Sequence, residues 1–313
     1  MNRRESVGYS AVILAGLSFG AIPVISASMR DLGASSLEQS FLRLFVGLFI
    51  GLGVIITFYR RDSYDSSLNT SYFLHKTYSL QGLLLALMVV AYLSSIALKT
   101  PVGEAALFIQ IHPFITLILA SIFLEEEITR SKIIALLVAL IGLLLLTSPW
   151  NWDSFLSSSF GDLLAATTGF LYSLYLLVSR YSAKERSQIS PIQSIAWILC
   201  WSFLIGLPIL FFLTFFPLPV EFVAFSSDTV LTTKIIVLGI FLALFGSIIP
   251  YSLILFSSKY IESSNASILL LNEPIGAIIL AAILLNEEIR FSYILGGITL
   301  LAAIFLLLTS QDS

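Results

Sequence analysis

Two titratable side chains interrupt long apolar stretches of this sequence, and a proline follows each of them. They are His112, which precedes Pro113, and Glu273, which precedes Pro274. An imidazole exchanges protons near neutral pH, and a carboxylate can hold a proton or pair with an ammonium group. A proline lacks the backbone N–H donor and leaves the carbonyl four residues earlier without its helical partner. Both places therefore combine a group that titrates with a break in a helix.

The two places belong to one stretch that occurs twice. Residues 113–128 recur 161 positions later, and nine of the 16 positions are identical. The identities include the proline and the Glu-Glu-Ile that ends each copy, which matching apolar residues alone would not produce. A fixed offset of this kind indicates an internal duplication.

The composition places these stretches in a membrane. Of the 313 residues, 58% are hydrophobic and 11% are charged, whereas soluble domains contain about 25% charged residues. The charges lie between apolar runs of about 20 residues, which is the length of a helix that crosses a bilayer. The single cysteine, Cys200, excludes an internal disulfide, and no basic patch favours nucleic acid. We expect an all-α integral membrane protein in contact with the lipid bilayer, without a metal or other cofactor.

The sequence predicts ten transmembrane helices, five in each half. Because five is odd, the second copy must lie upside down relative to the first, which predicts two inverted five-helix repeats around a central cavity. The first repeat then covers residues 7–149 and the second covers 160–309. The predicted spans are Val7–Met29, Leu37–Phe58, Ser79–Leu98, Val102–Leu124, Lys132–Ser148, Phe160–Ser179, Pro191–Phe216, Lys234–Phe256, Ser263–Leu285 and Phe291–Thr309.

Lysine and arginine predict the orientation. Eleven of the 16 basic residues fall on the side of the N-terminus, four fall on the other side, and Arg43 lies within a span. Basic residues are enriched in cytoplasmic loops. The distribution predicts a multi-pass protein of the cell membrane with both termini in the cytoplasm.

Polar side chains of the fourth and ninth spans are predicted to face the cavity. At about 100° per residue, Glu104 and His112 lie on one stripe of the fourth span. Asn265 and Glu273 lie on the corresponding stripe of the ninth, with Asn272 beside them. A charge at the bilayer centre costs about 3 kcal/mol or more, so such groups face a cavity or a partner. Glu273 is the first candidate for a proton site and His112 the second; an interior polar pair that only locks the bundle is the alternative.

Four further polar side chains are candidates for the cavity wall. Tyr92, Tyr172 and Tyr251 would offer apolar rings with polar tips. Arg43 is seven residues into the second span, where it can extend to the outer surface, bind an anion or act in gating. Because of its shallow depth, we favour a structural or gating role for Arg43.

The prolines are candidates for helix breaks and gating. Pro113 and Pro274 are expected to free the carbonyls of Ile109 and Leu270 for the cavity. Paired, proline-interrupted segments in the two halves of a membrane protein point to its binding site. Two other prolines inside spans are predicted to soften gating helices, namely Pro23 and Pro250.

Motifs in both halves resemble the EamA family, a branch of the drug/metabolite transporter superfamily. They are Leu98-Lys-Thr-Pro-Val-Gly-Glu-Ala-Ala-Leu and Leu124-Glu-Glu-Glu-Ile in the first half, and Ser264-Asn-Ala-Ser-Ile and Leu285-Asn-Glu-Glu-Ile in the second. The resemblance covers nearly the whole chain as two tandem repeats. It implies ten helices in two inverted bundles and the carriage of small organic molecules, often the export of amino acids or other metabolites.

The chain departs from the family at one turn. The usual Gly-Glu after the fourth helix is Glu125-Glu126 here, and after the ninth it is Asn286-Glu287. We expect the acidic residues at these junctions to stabilise the N-termini of the fifth and tenth helices, where the helix dipole favours negative charge. They are Glu126, Glu127, Glu287 and Glu288.

The sequence predicts a secondary transporter that works by alternating access and moves a small organic molecule. Export of amino acids or similar neutral or zwitterionic solutes is the most specific form, and coupling to a proton is expected through Glu273 or His112. Export of cationic compounds through aromatic walls is one alternative. An intramembrane enzyme that uses His112 and Glu273 is another, although no HExxH, GxSxG or P-loop accompanies them. A passive channel is the third, and the protein is expected to be a monomer or a homodimer.

Overall fold

The computed structural model describes residues 3–61, 75–97, 108–147, 159–185, 190–215 and 232–310. These residues form helices and the turns between them, and this part of the chain contains no strand. Eight of its helical stretches are long and apolar enough to cross a membrane. The all-helical membrane class is therefore confirmed. A ninth apolar helix, His112–Phe123, is shorter, so the count of ten stays a prediction.

Thirteen α-helical segments are described, and four of the predicted spans contain a break. These are the first, the eighth, the ninth and also the fourth, where a turn at Gln110 and Ile111 precedes the helix that starts at His112. The segments are α1 (Arg3–Phe19), α2 (Ala21–Asp31), α3 (Ser36–Arg61), α4 (Lys76–Ala97), α5 (His112–Phe123), α6 (Arg130–Thr147), α7 (Ser159–Glu185), α8 (Pro191–Leu213), α9 (Thr233–Ala243), α10 (Ile249–Ser257), α11 (Ser263–Leu269), α12 (Glu273–Leu284) and α13 (Phe291–Ser310).

The first predicted span consists of α1 and α2, which meet at Gly20. In a continuous helix the ring of Pro23 would clash with the carbonyl of Phe19, so the helix breaks just before the proline. Gly20 also permits close packing on α12, because a Cβ there would lie 2.5 Å from the backbone nitrogen of Ala277. The predicted span Val7–Met29 therefore consists of two helical pieces, and the break lies three residues before Pro23, one of the candidates for a helix break.

The ninth predicted span breaks between α11 and α12 at a 3-10 turn, Leu270–Asn272. The backbone N–H of Glu273 donates to the carbonyl of Leu270, which is the carbonyl that Pro274 would leave without a partner. The prediction that Leu270 offers a free carbonyl is therefore wrong. The even rotation of 100° per residue also fails across this break, because a 3-10 turn rotates by about 120° per residue.

The eighth predicted span contains a π-helical segment, Leu244–Ile248, between α9 and α10. Pro250 follows it and removes the N–H that would bind the carbonyl of Gly246. Side chains from other helices bind the backbone here instead, and the hydroxyl of Ser18 donates to the carbonyl of Phe245 at 2.9 Å. Such π segments frequently occur at functional sites.

The most extensive helix contacts join the two halves of the chain. Helix α6 packs along α13, α3 along α8, and α4 against both α7 and α8. The contacts also recur between corresponding helices of the two halves. Helix α1 packs on α10, and its counterpart α7 packs on α4, the counterpart of α10. Likewise α5 packs on α7, and its counterpart α12 packs on α1. The core is therefore built by both halves together.

Two turns with the same backbone close the corresponding helix pairs. The Glu126 turn (residues 124–129) joins α5 to α6, and the Glu287 turn (residues 285–290) joins α12 to α13. Glu125 has φ of 57° and Asn286 has φ of 54°, the left-handed region that favours glycine. The N–H of Glu126 and that of Glu287 reach back to the carbonyls of Ala120 and Ala281. Both turns therefore adopt the left-handed conformation although neither has the glycine of the family.

Candidate functional site

Two cavities meet at the break in the ninth span. The outer cavity, of about 170 Å³, extends from Glu273 to the exposed Glu287 turn. The inner cavity, of about 30 Å³, lies deeper and shares Glu273 and Tyr92 with the outer one. The outer cavity is lined by Pro23, Val24, Ala27, Tyr92, Gln110, Leu143, Leu146, Glu273, Pro274, Ala277, Ile278, Ala281, Leu285, Glu287, Glu288, Ile289 and Tyr293.

Glu273 lines both cavities, as does Tyr92. It is the first residue of α12 and is only 8% exposed, so its carboxyl lies at the positive end of a helix dipole. Gln110 approaches it from the residues just before α5. The structure thus places the best sequence candidate at the centre of the cavity system.

Aromatic rings surround the inner cavity. Tyr172 of α7 and Tyr251 of α10 line it, as does Phe19 at the end of α1. The ring of Phe19 packs edge-on against both tyrosines, with centroid distances of 5.8 Å and 5.1 Å. Tyr92, Tyr172 and Tyr251, all predicted for the cavity wall, are therefore brought together, and four different helices supply this wall.

Arg43 is buried at the inner cavity instead of extending to the surface. Its guanidinium donates to the hydroxyl of Ser247 at 2.8 Å and to the carbonyl of Gly246. That carbonyl is available because Pro250 cannot bind it. Arg43 is 3% exposed, so the expectation of a shallow side chain is corrected. It joins α3 of the first half to the π segment of the second.

His112 lies behind the aromatic wall. It is fully buried, its ring packs on Tyr172 with centroids 4.6 Å apart, and it lines neither cavity. Neither ring nitrogen has a hydrogen-bond partner among the described residues. Its backbone carbonyl accepts from the hydroxyls of Thr116 and Ser173. The enzyme alternative requires His112 and Glu273 to face the same space, and in the structure they do not line a common cavity.

The two asparagines of the predicted stripe bind α1 and do not line the two cavities. The amide nitrogen of Asn265 donates to the hydroxyl of Tyr9 at 3.1 Å. That of Asn272 donates to the carbonyl of Ile13 at 2.7 Å. Asn272 also sits directly against Gly16, where a Cβ would lie 1.7 Å from its amide oxygen. Both side chains hold the broken helix against α1.

The remaining candidates are placed as follows. Pro23 and Pro274 line the outer cavity, while Pro113 and Pro250 are buried near the starts of α5 and α10. Glu104 lies outside the described residues, so its predicted place on the stripe stays a prediction.

Among the described residues, Glu126 forms the polar contact between the two halves that has the most hydrogen bonds. Its two carboxylate oxygens accept four hydrogen bonds, from the backbone N–H and the hydroxyl of Ser263 and of Ser264, at 2.6–2.9 Å. Burial raises the pKa of this carboxyl, and the hydrogen bonds from Ser264 and Ser263 lower it by more, so the net pKa lies below its ordinary value. Glu126 therefore caps α11 in the other half, which corrects the expectation that it serves the N-terminus of the following helix.

Sequence reasoning missed Gln110 and the partners of Glu126. The rule that a proline frees the carbonyl four residues earlier, applied to Pro250, would have pointed to Gly246. No signal in the sequence indicated that Ser263 and Ser264, 137 and 138 residues after Glu126, would bind it.

The fixed charges differ between the two cavities. Among the described residues, the outer cavity is lined by three carboxyl groups, Glu273, Glu287 and Glu288, and by no lysine or arginine. The inner cavity has Arg43 and Glu273 together. The mouth therefore favours a positive group, whereas the inner end presents both signs.

Comparison with known proteins agrees with this architecture. The model of the EamA-like transporter family matches residues 6–148 and again residues 159–309. The chain belongs to the EamA-like transporter family. It is a multi-pass membrane protein whose relatives carry the name of transporters.

The similar proteins cover the chain at low identity. An uncharacterized transporter of Archaeoglobus fulgidus is 24% identical over 303 residues, which is 96% of this chain and 95% of the relative. A second from the same organism is 26% identical over 67% of this chain and 68% of its own length. A solved crystal structure superposes with a TM-score of 0.69 at 15% identity and covers 96% of both chains, which supports the fold alone.

Proposed function

We propose that this protein is a secondary carrier of amino acids or similar zwitterionic solutes that works by alternating access through two inverted five-helix repeats. The reciprocal helix contacts support the inverted arrangement, because a two-fold axis in the membrane plane exchanges α1·α10 with α7·α4. The matched turns at Glu125 and Asn286 support it as well.

The observation that carries this proposal is the meeting of Glu273 and Arg43 at the inner cavity. Glu273 can pair with an ammonium group, and the N–H groups of Arg43 that Ser247 and Gly246 do not use can donate to a carboxylate. The three tyrosines exclude water around both groups, which strengthens each pairing. The apolar residues of the outer cavity, such as Leu143 and Ile278, then receive the side chain of the solute.

The proposed orientation puts the Glu126 turn in the cytoplasm and the Glu287 turn outside. Arg130, Lys132, Arg180 and Lys184 lie at the end of the molecule that carries the Glu126 turn, as the enrichment of basic residues in cytoplasmic loops requires. The outer cavity then opens to the outside of the cell membrane, which corresponds to an exporter after it has released its solute.

The second candidate is a carrier of organic cations. It is favoured by the acidic lining of the outer cavity, where Glu273, Glu287 and Glu288 are the charged residues in the part of the chain that the structure describes. In that case the guanidinium of Arg43 serves only to bind the π segment. The two candidates differ in whether a carboxylate on the solute improves transport.

Counterflow in proteoliposomes with matched solutes tests the proposal. Vesicles are loaded with an unlabelled amino acid, and entry of the labelled amino acid is compared with entry of its decarboxylated amine, for example tyrosine with tyramine and leucine with isopentylamine. Saturable counterflow of the amino acids, weaker for the amines, is expected. Preference for the amines would overturn the zwitterion proposal in favour of the second candidate, and non-saturable entry would indicate a channel.

Proton coupling is proposed to depend on Glu273. Glu273→Gln is expected to abolish the response of flux to an imposed pH gradient, because the carboxyl at the cavity centre is the group that a solute ammonium and a proton would share. His112→Gln is the matched variant of the other candidate and is expected to keep that response. Unchanged pH-driven flux in Glu273→Gln, or its loss only in His112→Gln, would contradict this assignment.

A further inference from the structure

We infer that Glu126 is a releasable latch of the cytoplasmic gate, and that the carrier closes this gate by capping α11 of the second half with a carboxylate from the first. The inference rests on the proposed alternating access but not on the identity of the solute. It assigns a role to Ser263, Ser264 and Lys132 as the partners that hold the turn in place.

The bonds at Glu126 satisfy one helix end from outside its own half. The first backbone N–H groups of a helix have no partner within the helix. Those of Ser263 and Ser264 both donate to Glu126, and the two hydroxyls donate to the same carboxylate. The residue that precedes the helix, Glu262, contributes no side-chain cap. Separation of the Glu126 turn from α11 would therefore break all four bonds at once.

Further contacts hold the same turn against the second half. The ammonium group of Lys132 donates to the carbonyl of Glu127 at 2.8 Å and to the carboxylate of Glu262 at 2.5 Å. The ammonium group of Lys184 donates to the carbonyl of Leu124. Lys132 is 1% exposed, and these hydrogen bonds offset the free-energy cost of burying its charged ammonium group.

The corresponding place in the other half is open. Glu287 is exposed and lines the outer cavity, and the position that matches Lys132 at the 161 offset is Tyr293, which also lines it. The Glu126 turn is thus bound to the other half, while the Glu287 turn lies at the mouth of the outer cavity. In a carrier built from two inverted repeats the two ends exchange these conditions during transport, so the bonds at Glu126 must be released for the cytoplasmic gate to open.

Labelling of single cysteines measures the state of both ends. In a Cys200→Ala background, Ser267→Cys reports the cytoplasmic side because Ser267 is fully buried one turn beyond the latch. Ala277→Cys reports the outer cavity, which it lines. A membrane-impermeant maleimide is applied to Ser267→Cys in inside-out vesicles and to Ala277→Cys in right-side-out vesicles.

Glu126→Ala is expected to raise the labelling rate at position 267 by about tenfold, because four bonds to a charged group are lost. It is expected to lower the rate at position 277, since opening one gate of an alternating carrier closes the other. Glu287→Ala, the matched variant at the other turn, is expected to leave position 267 unchanged. An unchanged rate at 267 in Glu126→Ala would overturn the latch, and so would a rise at 267 without a fall at 277, which indicates local unfolding.

The double variant Ser263→Ala, Ser264→Ala provides the test if Glu126→Ala does not fold, because it removes the two hydroxyl donors and keeps the carboxylate. It is expected to change both rates in the same directions by a smaller factor, and unchanged rates would overturn the latch. Failure of the latch and failure of the proposed solute are distinguishable. Normal counterflow with unchanged labelling refutes the latch alone, whereas altered labelling without amino-acid counterflow refutes the solute alone.

Discussion

The Glu126 turn and the Glu287 turn have the same backbone and opposite surroundings. Each places one residue in the left-handed region and returns an N–H to the preceding helix. Glu126 is buried against the start of α11, whereas Glu287 is exposed at the mouth of the outer cavity. The two turns therefore share a local shape and differ in what the other half places beside them.

The largest expected difference between the turns is in stability. Glu126→Ala is expected to reduce the free energy of unfolding by about 2–3 kcal/mol, because it leaves buried donors at a helix N-terminus without a partner. Glu287→Ala removes an exposed side chain and is expected to change it by less than about 0.5 kcal/mol. Thermal unfolding of both variants in the same detergent measures the difference. Equal shifts would show that the two turns are not in different states.

A smaller effect is expected at the residues with positive φ. Glu125→Gly is expected to stabilise the protein by about 1 kcal/mol, because a residue with a Cβ is strained in the left-handed region. Asn286→Gly is expected to gain only a few tenths of a kcal/mol, since asparagine tolerates this conformation better. The same unfolding measurement checks both. A larger gain at Asn286 than at Glu125 would contradict the assignment of strain.

The smallest effect is expected from pH. A carboxyl whose pKa is lowered on folding stabilises the folded state above its ordinary pKa, and that contribution is lost as the pH falls through the lowered value. Despite burial, the pKa of Glu126 is lowered by its hydrogen bonds from Ser264 and Ser263, and the charged side chains in and around the turn are those of Glu127, Lys132, Lys184 and Glu262. The difference in melting temperature between the wild-type protein and Glu126→Ala should therefore stay constant from pH 8 to about pH 5. A difference that disappears near neutral pH would show that Glu126 is protonated there.

The sequence was informative where a local rule applies. The duplication predicted matched breaks and matched turns, and the rarity of buried carboxylates directed attention to Glu273. The breaks in the first and ninth spans lie beside prolines, as a missing N–H requires. These features follow from the sequence without knowledge of which helices pack together.

The sequence was less informative where a partner is distant. The stripe calculated for the ninth span assumed a continuous α-helix, and the 3-10 turn at Leu270–Asn272 changes the rotation. Asn265 and Asn272 bind α1, and His112 packs on Tyr172, because those neighbours occupy the space beside them. Arg43 was expected near the surface because it is close to the start of its span. In the structure its side chain is buried, because Gly246 and Ser247 of the π segment bind it. Helix periodicity predicts which side chains share a face, but it does not predict which neighbouring helix packs against that face.

The packing of α6 on α13, α4 on α7 and α3 on α8 has a consequence for synthesis in the cell. These contacts join segments from opposite halves, so the first half enters the bilayer before its partners have been translated. Lipid must then cover the faces of α3, α4 and α6 until the second half arrives and displaces it. Assembly of these contacts is consequently a late event, and they are complete only when α13 has left the ribosome.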